Sequence, residues 1–214
     1  LAYTHSGVLA SALAMNKPMS KRLFLNAGIP VPKGGVFSRQ EIFAREPMSR
    51  PYVVKPLDEG SSLGVHIVRE GEESPVGDYT WSHERVLVED YVPGRELTVA
   101  IMKERSLEVL EIRPSKGFYD YDSKYTKGCA EYLIPAPVSD STREEALHLA
   151  LLAHQTLGCR GVTRSDFRYD GSEGGLGLRL LEINTQPGLT PTSLVPEIAA
   201  HVGIDFQMLV KWML

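Results

Sequence analysis

Short apolar, β-branched runs bounded by Gly and Pro predict strands near 52–57, 64–69, 86–91, 95–102, 107–112, 130–134, 161–170 and 178–184. Between them, small and apolar positions predict a short helix over 6–16. A second helix runs from Pro18 to Ala27, because proline suits a first helical turn and Gly28, Pro30 and Pro32 stop it. Ser38-Arg39-Gln40-Glu41 has the form of a capping box and starts another short helix. A longer helix is expected over 142–157, with Thr142 and Glu145 as its box and Gly158 as its stop. Two short helices near 193–201 and 205–213 end the chain. Strands 95–102 and 107–112 are expected to form a hairpin, and 170–177 (DGSEGGLG) reads as a second hairpin loop. Strand pairs interleaved with helices predict an α+β fold rather than a doubly wound parallel sheet.

Two stretches lack a period. Residues 70–83 contain Gly71, Pro75 and Gly77 and read as a loop. Residues 113–128 (RPSKGFYDYDSKYTKG) carry three tyrosines and three lysines over sixteen positions, a length that marks either a functional lid or a floppy connection.

The 214 residues suffice for one large domain or two small ones, and 43% hydrophobic with 23% charged residues is an ordinary globular composition. A net charge of −4 argues against a general nucleic-acid or membrane-surface binder, so an anionic ligand needs a local lysine cluster. No apolar run reaches membrane-spanning length, and no signal peptide is visible. Cys129 and Cys159 lack metal-type spacing and read as inert thiols of a reducing cytoplasm; the six histidines form no zinc motif. Leu1-Ala2-Tyr3-Thr4 reads like the tail of an earlier element, so the chain is expected to be part of something longer.

Candidate chemistry sits at two places. On one strand, alternation puts Glu182 and Asn184 on a common face, and a neighbouring strand would bring Asp166 to them. Two carboxylates and an amide oxygen are hard ligands suited to Mg²⁺ held against phosphates; singly, each is equally well a structural Glu or a turn Asn. Upstream, Lys55 interrupts an apolar strand and is followed by Asp58-Glu59-Gly60-Ser61-Ser62-Leu63-Gly64. A buried lysine calls for an anion, and a Gly/Ser loop offers N–H and hydroxyl donors to phosphates. The lysine precedes the glycines, so this is not a P-loop, and an edge strand with an ordinary flexible hairpin is the plainer alternative.

In this order the motifs resemble the ATP-grasp superfamily, and within it the D-alanine–D-alanine ligase family. The residues that carry the resemblance are YTHSGVLASALAMNK at 3–17, VVKPLDEGSSLGV at 53–65, VEDYVPGRELTVAI at 88–101, GFYDYDSKYTKG at 117–128, TRSDFRYD at 163–170 and LLEINTQPGLTPTSLVP at 180–196. The resemblance implies two α+β lobes enclosing ATP: a central lobe over 18–91 and a C-terminal lobe over 92–214 with residues 113–128 as lid. Residues 1–17 would be the end of an N-terminal domain that is itself missing. Lys17 and Lys55 would contact phosphates, with Ser61 and Ser62 in the phosphate loop and Lys124 reaching the γ-phosphate. Glu89 would read the adenine amino group, the backbone of Asp90, Tyr91 and Val92 would form the hinge, and Glu96 would hold the ribose. Asp166, Glu182 and Asn184 would bind two Mg²⁺ or Mn²⁺ ions. Arg164 and Gly188 would build the oxyanion site, and Tyr125, Ser193 and Leu194 would surround the acceptor.

The implied activity is ATP-dependent joining of two D-alanines through a D-alanyl phosphate, in peptidoglycan precursor synthesis in the cytoplasm. D-Alanine and ATP are then the partners, without nucleic acid or membrane, and a homodimer of the full-length enzyme stays open. In the family the N-terminal domain supplies the carboxylate for the first D-alanine's ammonium. No residue here matches it, so the chain alone is expected to be an impaired catalyst. Two alternatives remain: a non-catalytic nucleotide-binding fragment, and a ligase whose acceptor is a hydroxy acid such as D-lactate. Tyr125 argues for the amine acceptor.

Overall fold

The computed structural model describes residues 3–60, 63–72, 84–114 and 130–214. Among them, nine strands form two antiparallel sheets. The smaller has the order β1-β4-β2-β3, from Gly34–Ser38 (β1), Tyr52–Lys55 (β2), His66–Val68 (β3) and Arg85–Asp90 (β4). The larger has the order β7-β6-β5-β8-β9, from Arg95–Met102 (β5), Arg105–Pro114 (β6), Ala130–Leu133 (β7), Val162–Asp170 (β8) and Gly177–Asn184 (β9). The helices are Val8–Met15 (α1), Lys17–Asn26 (α2), Arg39–Ala44 (α3), Asp140–Thr156 (α4), Leu194–His201 (α5) and Phe206–Met213 (α6). The α+β expectation and both hairpins hold.

Strand alternation decides what each face of the larger sheet does. Leu97, Val99, Phe167 and Leu180 point to one side and pack on Ala146, Leu149, Ala150 and Ala153 of α4 and on Phe24 of α2. Ala100, Leu110, Ile112 and Val162 point the other way and pack under Leu194, Val195 and Ile198 of α5. On that second face, Thr98, Asp166 and Glu182 stand in cross-strand register, one row from the paired Glu96 and Arg168. This polar row borders a cleft whose opposite wall comes from β2 and β4 of the smaller sheet. The smaller sheet has its own core of Ile42, Tyr52, Val54, Val68, Val86 and Val88.

The local signals act as expected with three differences. The Ser38 box is real: Glu41 N donates to Ser38 Oγ at 3.2 Å and Ser38 N to Glu41 Oε2 at 2.7 Å. Strand β1 was not anticipated, because Gly34-Gly35 carries no apolar pattern and only pairing with β4 orders it. Helix α4 starts at Asp140, not Thr142: Ser139 is the cap and accepts from Thr142 N at 3.2 Å. Ser and Thr can both cap, and Ser139 is the one whose backbone stays extended ahead of the helix. Strand β6 runs to Pro114, so Arg113 and Pro114 are strand residues, not loop. The rest of the expected lid lies outside the described residues, as do Cys129 and residues 73–83. Cys159 is a half-buried free thiol whose pKa burial pushes up. Among the described residues no helix is long and apolar enough to cross a membrane.

Candidate functional site

The cleft contains two adjoining cavities, of about 90 and 630 Å³, which share Lys17, Glu59, Gly60 and Glu182 in their walls. The smaller lies between the sheets and touches Val53, Lys55, Glu89, Val92, Glu96 and Arg168. The larger opens toward Tyr132, Arg164, Asn184, Gly188, Ser193 and Leu194.

On the smaller sheet, register places Val53 opposite Glu89, and Lys55, two residues on, shares their face. Glu89 is 2% exposed, and its two oxygens meet two ammoniums. Lys55 Nζ is 2.5 Å from Oε2, and Lys21 Nζ, arriving from α2, is 2.7 Å from Oε1. Burial pushes the Glu89 pKa up, but Lys55 and Lys21 outweigh it and hold the carboxyl below its usual range. Burial lowers Lys21 to about 8 against the pull of Glu89. Both Glu89 oxygens already serve ion pairs, so the adenine role that the resemblance implies for it would have to use the acceptor capacity left over.

Lys17 opens α2 beside this group. Its Nζ donates to the Glu59 carbonyl and lies 3.8 Å from Glu182 Oε2. Burial lowers its pKa, and the Glu182 charge opposes that shift. One lysine thus joins the loop after β2 to strand β9.

On the larger sheet, Arg164 and Asp166 share a face, and the guanidinium grips the carboxylate with two contacts of 2.8 Å. Thr98, fully buried on β5, donates to Asp166 Oδ1 at 2.6 Å. Glu182 pairs directly with Asp166 across the β8–β9 ladder, and Asn184 with Arg164. Asn184 Oδ1 also accepts from Gln186 N at 3.0 Å, so it fastens the turn after β9 as well as facing the cavity. Asp166, Glu182 and Asn184 offer hard oxygens from adjacent strands, a donor set that fits Mg²⁺ or Mn²⁺. Among the described residues no group of three His, Cys, Asp or Glu side chains forms a metal cluster, so such a site depends on the amide.

At the hinge, Asp90 N donates to Lys33 O at 2.8 Å and Tyr91 N to Pro51 O at 3.3 Å. Arg168 donates to the Val92 carbonyl at 3.1 Å and the Gly94 carbonyl at 2.7 Å, with Nη1 3.9 Å from Glu96 Oε2. Ser193 Oγ accepts from Thr190 N at 3.0 Å beside Gly188, and Leu194 is both cavity wall and core. Lys17, Lys55, Glu89, Glu96, Asp166 and Glu182 thus meet at one cavity, and Arg164, Asn184, Gly188, Ser193 and Leu194 at the adjoining one. Ser61, Ser62, Lys124 and Tyr125 lie outside the described residues. Sequence reasoning missed Lys21, Thr98 and Arg168. Two of them had signals: Lys21 is four positions after Lys17, and Arg168 keeps the parity of Arg164 and Asp166.

Two sheets closing on a cleft, with Lys55 held by Glu89 on one wall, Asp166 and Glu182 on the other and Lys17 between them, define an ATP-grasp ligase fold. A family profile described as D-ala D-ala ligase C-terminus matches residues 23–214. The D-alanine–D-alanine ligase of Paramagnetospirillum magneticum is 54% identical over 213 residues, covering 99% of this chain and 70% of that protein. That of a Caulobacter species is 56% identical over 220 residues, with 99% and 68% covered. Among solved structures, the Bacillus anthracis D-alanine–D-alanine ligase complexed with ATP superposes with a TM-score of 0.80 at 26% identity, covering 100% of this chain and 69% of that one. The VanG D-Ala:D-Ser ligase of Enterococcus faecalis gives 0.81 at 30% identity, covering 97% and 63%. The chain belongs to the D-alanine–D-alanine ligase family.

Proposed function

We propose that the chain carries the nucleotide and acceptor sites of an ATP-dependent ligase that joins two D-alanine molecules for peptidoglycan precursors in the cytoplasm. The observation that carries this is one cleft with Lys55 on the smaller sheet, the Asp166–Glu182 register pair on the larger one, and Lys17 reaching both the loop after β2 and Glu182. Relatives more than 50% identical bear that activity in their names.

The γ-phosphoryl group passes from ATP to the carboxylate of the first D-alanine, releasing ADP and forming an acyl phosphate. The neutral amine of the second D-alanine attacks the acyl carbon; the C–N bond forms, the C–O bond to phosphate breaks, and the amine proton leaves. Phosphoryl transfer needs little from a protein but positioning and charge neutralisation. Lys17 and Lys55 supply positive charge to the phosphates. Arg164, fixed in direction by Asp166, faces the larger cavity with Gly188, where developing oxyanion charge would be met. Glu96, steered by Arg168, faces the ribose. Two Mg²⁺ or Mn²⁺ ions held by Asp166, Glu182 and Asn184 would neutralise β- and γ-phosphate charge. By the family resemblance, Ser61 and Ser62 would contribute to phosphate contacts, Lys124 would serve the γ-phosphate, and Tyr125 would serve the acceptor together with Ser193, which lines the larger cavity.

The likeness to a D-Ala:D-Ser ligase favours one second reading, in which the same cleft takes another acceptor. The test is ADP release with ATP, D-alanine and Mg²⁺, with mass spectrometry of products from mixtures of D-alanine, D-serine and D-lactate. D-Alanyl-D-alanine as the main product supports the first reading. Mg-ATP binding without ADP release on any mixture identifies a nucleotide-binding fragment instead.

A further inference from the structure

Two lysines share one buried carboxylate at the floor of the cleft. Lys55 approaches Glu89 from the cavity side and lines that cavity. Lys21 approaches from α2, is 6% exposed, and is not among the residues lining either cavity. On the remaining side β1 lies against Glu89: a Cβ on Gly34 would come within 2.9 Å of Glu89 Cγ and 2.1 Å of the Val88 carbonyl. The carboxylate is therefore confined between β1 and two ammoniums.

The charge count decides what this does. Glu89 with Lys55 alone is a neutral pair, +1 − 1 = 0, and a buried neutral pair holds its lysine tightly. Adding Lys21 makes the three-residue group +2 − 1 = +1; the Glu182 charge acts on Lys21 more weakly than Glu89 does, so an incoming anion still meets an excess of positive charge. With Lys21 occupying one oxygen, Glu89 can aim Lys55 while leaving its positive charge available. We propose that Lys21 is a positioning residue for nucleotide binding, holding Glu89 from behind so that Lys55 is presented to the phosphates rather than neutralised. This rests on the nucleotide reading of the cleft. Burial lowers the Lys21 pKa to about 8, and Glu89 is the strongest pull in the opposite direction.

The test compares the dissociation constants of Mg-ATP and of adenosine for the parent chain, Lys21→Met, Lys21→Gln and Lys21→Arg. Thermal melts establish that each variant is folded, and Lys21→Gln keeps a hydrogen-bond donor where Lys21→Met does not hold the fold. Both neutral variants should weaken Mg-ATP by at least roughly tenfold, the scale of one charge-assisted contact. Adenosine, which carries no phosphate, should not weaken, because removing Lys21 takes no contact from the nucleoside and frees an acceptor on Glu89. Lys21→Arg should restore most of the ATP affinity, because it returns the charge. Equal ATP affinity in parent and neutral variants overturns the inference while leaving the nucleotide site standing. Parallel losses for ATP and adenosine, or no recovery with arginine, mean that Lys21 is only structural and overturn it likewise. A parent chain that binds no Mg-ATP overturns the nucleotide reading and this inference together.

Discussion

Arg164 and Asp166, two residues apart on β8, meet through a two-pronged contact in which Nε and Nη2 each lie 2.8 Å from a carboxylate oxygen. Strand alternation gives them one face, and the larger cavity lies beside Arg164 while the smaller touches Asp166. The proposed oxyanion donor and the proposed metal ligand are therefore mechanically linked. Asp166→Ala should lower kcat of ligation by at least ~10²-fold, the scale of losing a transition-state charge stabiliser. Steady-state ADP release in an enzyme that retains the activity checks this, and near-normal turnover would remove the metal assignment.

Thr98 should matter although it faces no solvent. Its hydroxyl donates to Asp166 Oδ1 at 2.6 Å, and Thr98→Val deletes that donor without changing shape. Stability should fall by about 1–3 kcal/mol, the cost of stripping a partner from a buried polar group. If Asp166 holds the metal, the Mg²⁺ concentration for half-maximal ATP binding should rise as well. Urea unfolding and a Mg²⁺ titration measure the two effects separately.

Gly94 joins the sheets at a point where no side chain fits. Its φ is +89°, and a Cβ would stand 2.2 Å from the Tyr169 carbonyl. Gly94→Ala should destabilise the chain by roughly 1–3 kcal/mol or more, combining backbone strain with a clash against β8. It should also disturb the Arg168 contact with the Gly94 carbonyl. A thermal midpoint close to that of the parent would show that the hinge relaxes freely.

His154 should set part of the acid sensitivity. It is buried on α4 with Nδ1 2.7 Å from Thr163 Oγ1, and burial lowers its pKa below the ordinary 6.5. As pH falls through 6.5 the unfolded chain takes the proton first, so the unfolded state gains. The stability contributed is present above that pH and is lost as pH falls toward the folded pKa. In urea titrations between pH 7.5 and 5, roughly spanning that window, His154→Gln should show a shallower decline than the parent. Parallel declines would place the acid sensitivity elsewhere.

Much of this protein was legible in the chain itself because the signals are local. The Ser38–Glu41 box, the Gly28 stop and the apolar, β-branched run within 95–102 each act within a few residues, and each appears where expected. Parity likewise put Arg164 with Asp166 on one face of β8 and Glu182 with Asn184 on one face of β9, and the pairing of the two strands joined them. The failures follow the same logic. Strand β1 exists because β4 offers it hydrogen bonds, and the start of α4 depends on which of two competent caps the incoming chain reaches. Residue types and their periods therefore determined most of the elements and the charged candidates, and the ordered motifs carried the resemblance to the family. Only the tertiary structure decided which partners those charges have: Lys21 behind Glu89, Thr98 beneath Asp166, and Arg168 on the hinge carbonyls. These contacts join residues some 70 positions apart, and a pairing energy between distant residues leaves no local pattern because it depends on how the sheets and α2 pack.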